Sequence, residues 1–194
     1  MADVGKDDLR AKLLAARRAI ATDVHRADSE RLCRHLAEAV DGARVVAAYV
    51  PVGAEPGTPE ILDVLNRLCQ TVLLPVTRTG PDGEHLALRW GRYRPGRLVS
   101  GRFGLQEPTE PSLPPTALPD AQVVLVPALA VARHGTRLGR GGGFYDRSLP
   151  LCAAGTRLVA VVRACEVIDE LPSEPHDVRM THALTPDGLI ALGP

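Results

Sequence analysis

The run AQVVLVPALAV, residues 121–131, is the strongest constraint on what this chain can fold into. A half-exposed strand alternates apolar and polar residues, whereas an uninterrupted apolar run is covered on both faces. Three further runs carry the same signal: RVVAAYV at 44–50, TVLLPV at 71–76 and RLVAVV at 157–162. Helical periodicity separates them. Residues 7–20 put Leu9, Leu13, Leu14 and Ile20 on one broad face with charges opposite. Leu32, Leu36 and Val40 recur every four residues on a second helix, with Thr22 or Asp23 as its cap. TPEILDVLNRLC offers Thr58 as an N-cap and Pro59 at the first helical position. Strands alternating with helices predict a three-layer α/β/α fold with a largely parallel, Rossmann-like central sheet.

The remaining segments add smaller pieces. LALRW at 86–90 reads as a hairpin arm or edge strand, and the Pro- and Gly-rich stretch 94–119 as ordered loop with short structure. THALTPDGLIAL predicts a terminal hairpin turning at Pro186-Asp187-Gly188. Residues 1–194 suit a single domain. Sheets of this kind bind ligands beyond the C-terminal ends of their strands, so the loops after Val50, Pro75 and Val131 should share one rim.

Charge and cysteine content narrow the function. Lys+Arg and Asp+Glu balance at 23 each, which leaves no global field for nucleic acid or an anionic membrane. The first twenty residues carry charges at helical spacing and lack a signal-peptide pattern, and no stretch approaches a membrane span. Cys33, Cys69, Cys152 and Cys165 are widely spaced, as expected of unpaired thiols in a reducing compartment. The cytoplasm is the expected location. Aromatics are only 3% of the chain, so Ala, Val and Leu must fill the core.

That scarcity makes GTRLGRGGGFYDR, residues 135–147, conspicuous. Gly139, Gly141, Gly142 and Gly143 let backbone N–H groups turn inward around an anion. A helix expected over 145–151 would add its own free amides. Arg137, Arg140 and Arg147 bring forked donors suited to phosphate oxygens, and Phe144 and Tyr145 suit a flat heterocycle. Known phosphate loops do not fit: no Lys-Ser/Thr pair follows the glycines, and a dinucleotide fingerprint counted from Gly139 puts Phe144 at its third glycine. A phosphate cradle beside a planar ligand is the expectation.

Other candidates stay two-sided at this level. Lys6 and Arg10, one turn apart, are phosphate contacts or a solvated helix face. Glu55 follows the first strand as a ligand carboxylate or an exposed loop acid. Asp146 and Asp177 offer oxygen ligands for Mg²⁺, and His176 beside Asp177 suits capping or packing equally. No nucleophile motif is present.

VPALAVARHGTRLGRGGGFYDR closely resembles the signature of the 5-formyltetrahydrofolate cyclo-ligase family. YVPVGAEPGTPEIL, LLPV, FGLQEP and LPSEPHDVRM stand in matching order along almost the whole chain. The resemblance implies ATP-dependent closure of 5-formyltetrahydrofolate to 5,10-methenyltetrahydrofolate, with ADP and phosphate released. It implies Lys6, Arg10 and the loop Arg137, Leu138, Gly139, Arg140, Gly141, Gly142, Gly143, Phe144 and Tyr145 at ATP. It also implies Val50, Glu55 and the stretch Arg140 to Phe144 at the folate, with Tyr49 packing nearby. Arg140 and Tyr145 would be catalytic, and Asp146 and Asp177 would hold magnesium. A reduced folate is the implied small-molecule partner; no nucleic acid, membrane or obligate protein partner is implied. Ala128, Val131 and Ala132 depart from a glycine, an aromatic and an aspartate, and Phe144 stands where tyrosine is common. Ala132 leaves a non-catalytic folate- or nucleotide-binding paralogue open as an alternative. A different ATP-dependent enzyme on the same scaffold is another.

Overall fold

The structure, a computed structural model, describes residues 5–109, 111–174 and 177–193. Its centre is a seven-stranded sheet. Five strands run parallel: β1 (Val45–Ala47), β2 (Thr71–Val76), β6 (Val123–Pro127), β9 (Arg157–Val161) and β11 (His182–Thr185). Antiparallel strands close both edges, β3 (Arg89–Arg92) beside β2 and β12 (Gly188–Ala191) beside β11. The predicted edge strand and the terminal hairpin are therefore both present. Across the sheet the parallel strands stand in the order β2-β1-β6-β9-β11. The order reverses between β1 and β6, and a reversal opens a crevice at the strands' carboxyl ends.

Alternate residues of these strands enter two separate cores, as burial on both faces requires. Val46, Val72, Leu74, Leu125 and Val159 pack under α2 (Thr22–Ala39) and α3 (Glu60–Leu68), against Leu32, Leu36, Ile61, Leu62 and Leu65. Ala47, Leu73, Val124, Val126 and Ala160 face the other way, toward Trp90, Leu118 and Leu149. That second layer consists of short pieces: 3-10 turns at Pro115–Asp120 and Leu149–Leu151, and the single-turn α4 (Phe144–Ser148). Among the described residues no helix is long and apolar enough to cross a membrane.

Several boundaries differ from expectation. α1 (Lys6–Arg18) stops before Ile20, and α2 begins at Thr22 with Ala21 at its cap and no side-chain cap bond. Pro59 occupies the cap position of α3. The first strand spans only Val45–Ala47, although the Ala48 N–H still reaches the Leu73 carbonyl of β2 at 2.8 Å. The helix expected over 145–151 starts at Phe144 and tightens to a 3-10 turn at Leu149.

The largest correction falls on residues 121–131. They form two strands: β6 ends at Pro127, and β7 (Ala130–Ala132) belongs to a different three-stranded sheet. There β7 lies between β8 (Arg137–Leu138) and β10 (Val167–Ile168). α1 packs on this sheet through Leu9, Leu13 and Leu14, which meet Leu129, Ala130, Ala132 and Leu138. The loop after Pro127, rather than the one after Val131, consequently reaches the rim. Inside 94–119, β4 (Leu98–Ser100) and β5 (Gln106–Pro108) form a hairpin. All four cysteines are unpaired; Cys69 is buried and Cys165 exposed.

Candidate functional site

A cavity opens at the β1/β6 reversal, where Tyr49, Val50, Pro127 and Ala128 leave the sheet. Pro75 and Thr77 form part of its wall from β2, and Leu105 and Gln106 from the β4–β5 hairpin. Its other wall is the glycine loop, from Arg137 and Gly139 to Asp146. The three-dimensional fold thus brings the predicted folate-side residues, Val50 and Glu55, against the predicted phosphate loop.

Glu55 is not an exposed loop acid. It is buried, and its Oε2 accepts the Val52 N–H at 3.0 Å. Burial pushes its carboxyl above the usual range, while the Val52 N–H and Arg140 pull against that rise. Arg140 reaches across the cavity to Glu55 with Nε at 3.4 Å from Oε1, on a half-exposed side chain. One flexible cation therefore joins the two walls.

The loop itself has the backbone of an anion nest. Gly141 (φ 92°) and Gly143 (φ 69°) lie in the left-handed region, and Gly142 between them does not. Such alternation turns successive N–H groups to one side. Among the described residues the N–H groups of Arg140, Gly141, Gly142 and Gly143 donate no hydrogen bond. A side chain at 143 would bring a Cβ within 2.2 Å of Arg147 Nη1. Because α4 spans five residues, the loop amides and arginines carry the positive character here, not a long helix.

Arg137 has a buried side chain, pairs with Asp146, and stacks over the Tyr145 ring at 5.9 Å. Two of its neighbourhood's polar atoms have no partner: Arg137 Nε and the Tyr145 hydroxyl. Burial, and secondarily the Glu55 charge, hold the Tyr145 phenol far above its ordinary value, so it stays a proton donor. Buried polar atoms without partners are uncommon, and two beside one cavity mark where a ligand would bond.

α1 braces this loop from behind. Arg10 Nε donates to the Gly139 carbonyl at 3.0 Å. One turn earlier Lys6 Nζ lies 2.9 Å from Glu174 and 3.5 Å from Asp177, and the Glu174 hydrogen bond raises its pKa. Asp146 and Asp177 are thus each paired with a cation, Arg137 and Lys6. Among the described residues no three His, Cys, Asp or Glu side chains form a metal-binding group, and His176 lies outside them. Leu138 turns its side chain into the core under α1, and its carbonyl accepts the Leu129 N–H.

Three functional neighbours are absent from the sequence-level list. Arg17, a charge that helical spacing puts between Leu13 and Leu14 on the apolar face of α1, is buried at the cavity with its guanidinium on Glu166 at 2.6 and 2.7 Å and on the Ala128 carbonyl at 2.6 Å. His85 stacks flat on Phe144, ring centroids 4.2 Å apart, and its Nδ1 meets the Gly142 carbonyl at 2.6 Å. Phe103 closes the aromatic group edge-on to both rings, exposed and with a positive φ of 58°. Only the FGLQEP motif hinted at this last residue.

A sequence model described as the 5-formyltetrahydrofolate cyclo-ligase family matches residues 2–186. The chain belongs to this family. A 5-formyltetrahydrofolate cyclo-ligase of Mycolicibacterium smegmatis is 51% identical over 193 residues, covering 99% of this chain and all of that protein. An Escherichia coli cyclo-ligase is 32% identical over 146 residues, 74% of this chain and 79% of its own length. Among solved structures, a 5,10-methenyltetrahydrofolate synthetase of Aquifex aeolicus superposes with a TM-score of 0.79 at 26% identity. That superposition covers 96% of this chain and 92% of that one. Within the cyclo-ligase family pattern, the departures at 131 and 132 do not reach the cavity. Val131 and Ala132 are fully buried in cores, with Ala132 among Leu129, Leu138 and Leu171. Ala128 does line it, in a backbone conformation open to any residue.

Proposed function

We propose that this chain converts 5-formyltetrahydrofolate to 5,10-methenyltetrahydrofolate at the expense of ATP, using the cavity at the β1/β6 reversal. The observation that carries this is the meeting of two chemistries in one space: a nest of free amides with arginines on one wall, and a buried carboxylate on the other. The nest and Arg140 would take ATP phosphates together with Lys6 and Arg10, Arg10 also holding the Gly139 carbonyl. Glu55 would receive ring N–H donors of the pterin, with Val50 and Tyr49 against its flat face. Residues 1–194 would act as one unit, in the cytoplasm.

An N-formyl group is a poor electrophile, so its oxygen must first become a leaving group. The formyl oxygen attacks the γ-phosphorus, the bond to ADP breaks, and an iminium-like phosphate remains. N10 then bonds to the formyl carbon and loses its proton, and phosphate departs with the C–O electrons. Such transfer needs positioning and charge neutralisation rather than a protein nucleophile. Arg140 sits where it can neutralise the transferring phosphoryl group while orienting Glu55. The Tyr145 hydroxyl, kept protonated by burial, donates to an oxygen of the reacting group.

Asp146 and Asp177 would supply carboxylate oxygens for Mg²⁺, which takes one or two carboxylates and completes its shell with phosphate oxygens and water. When bound, the ion would neutralise β- and γ-phosphate charge. Arg137 and Lys6 hold those carboxylates in place. Ala132 lies in a core and does not line the cavity, which supports the catalytic reading over a non-catalytic paralogue. The test is direct: purified protein with Mg-ATP and 5-formyltetrahydrofolate should develop the near-ultraviolet absorbance of the methenyl product. No turnover at high enzyme concentration would refute the reading.

A further inference from the structure

We infer that His85 is a positioning residue for the phosphate nest, acting through the Gly142–Gly143 peptide; this rests on the reading of that loop as the ATP site. A carbonyl oxygen only accepts hydrogen bonds, so the 2.6 Å contact between His85 Nδ1 and Gly142 O places a proton on Nδ1. The tautomer is set by the contact itself. In a trans peptide the C=O of one residue and the N–H of the next point in opposite directions. Fixing the Gly142 carbonyl toward His85 therefore aims the Gly143 N–H the other way.

The other way is into the cavity. Gly142, Gly143 and Phe144 line it, whereas His85 does not. His85 stands behind the loop, held flat against Phe144 with rings 15° apart, and edge-on to Phe103. Glycines at 141 and 143 resist peptide rotation only weakly, because no Cβ restricts φ. A side chain pinning the peptide from behind compensates for that freedom. The result is a pre-set donor at no cost in reorganisation when an anion arrives. His85 touches neither ligand; it sets the plane of a group that does.

Two substitutions separate the donor from the ring. His85→Phe keeps stacking on Phe144 and removes the hydrogen bond, and His85→Leu is a second donor-free variant should the first not fold. His85→Asn removes the ring but places an amide N–H near the position of Nδ1. By calorimetry without folate, the donor-free variants should bind Mg-ATP about tenfold more weakly, as expected for loss of one charge-assisted contact's alignment. His85→Asn should stay within about threefold of wild type, and the KM for folate should move less than the KM for ATP. Donor-free variants that bind Mg-ATP like wild type would overturn the inference, as would an equal loss in His85→Asn. Wild-type protein that does not bind Mg-ATP at all would instead overturn the ATP site itself, and this role with it.

Discussion

On the sheet side of the cavity, Arg17, Arg163 and Glu166 are buried and each has a partner. Arg17 holds Glu166 through two hydrogen bonds, Glu166 also takes the Arg163 N–H, and Arg163 reaches Asp28, His25 and the Ala54 carbonyl beside Glu55. On the glycine side, Arg140 and Arg147 are exposed, four amides have no acceptor among the described residues, and two residues sit at positive φ. The contrast separates what must be built before a ligand arrives from what the ligand completes. A buried charge network fixes the loop carrying Glu55, because leaving any member unpaired in low dielectric is expensive. The glycine wall leaves its amides available, as the phosphate site proposed above would require.

Breaking the buried wall should have the largest effect on stability. Arg17→Met leaves Glu166 without its main partner and should cost about 3–5 kcal/mol. For a chain of this size that lowers the melting temperature by roughly 10 °C, readable by circular dichroism. Breaking the ligand wall should spare the fold and remove activity. Arg140→Ala should lower kcat by about 10²–10³-fold, the range for losing one transition-state donor, with an unchanged melting curve. An intermediate kcat loss with a large melting shift would blur the two walls together.

Glu55 stands between them and gives a pH signature. Its folded pKa is raised by burial, so its favourable contribution is complete below the unfolded carboxyl value and is lost as pH rises through the folded one. Glu55→Gln should therefore gain stability relative to wild type as pH goes from 4 to 7, while its folate KM rises. Melting curves at the two pH values check the sign, and a gain larger at pH 4 would contradict it. The smallest effect belongs to Lys6, whose ion pairs are partly exposed. Lys6→Met should change stability by less than about 1 kcal/mol and raise the KM for ATP several-fold.

The same contrast explains what was legible in the sequence. Features set by local chemistry could be read: the apolar runs of β2 and β9, the hairpin turning at Gly188, and the glycines of the nest. Features set by distant partners could not. Arg17 shares the apolar face of α1 with Leu13 and Leu14, but nothing local announces that Glu166 and Ala128 will fold against it. The nine apolar residues 123–131 look like one strand, since nothing local announces that β7 finds its partners in β8 and β10. His85 closes a polar turn, and its value lies in Gly142, 57 positions away. Ala132 looked like a missing carboxylate and proves to be a core residue.

The bracing of the site by α1 has a consequence in time. Arg10, Arg17 and Lys6 find their partners 129, 149 and 168 positions further along the chain. At roughly 5–20 residues per second, synthesis leaves this helix waiting on the order of 10–30 s for the segments it clasps. Its apolar stripe and its cations are unanswered for that interval, and the loop that Arg10 contacts is not in place until the wait ends. If the loop is the proposed phosphate site, a nascent chain would gain it only late in folding, once those distant segments have emerged.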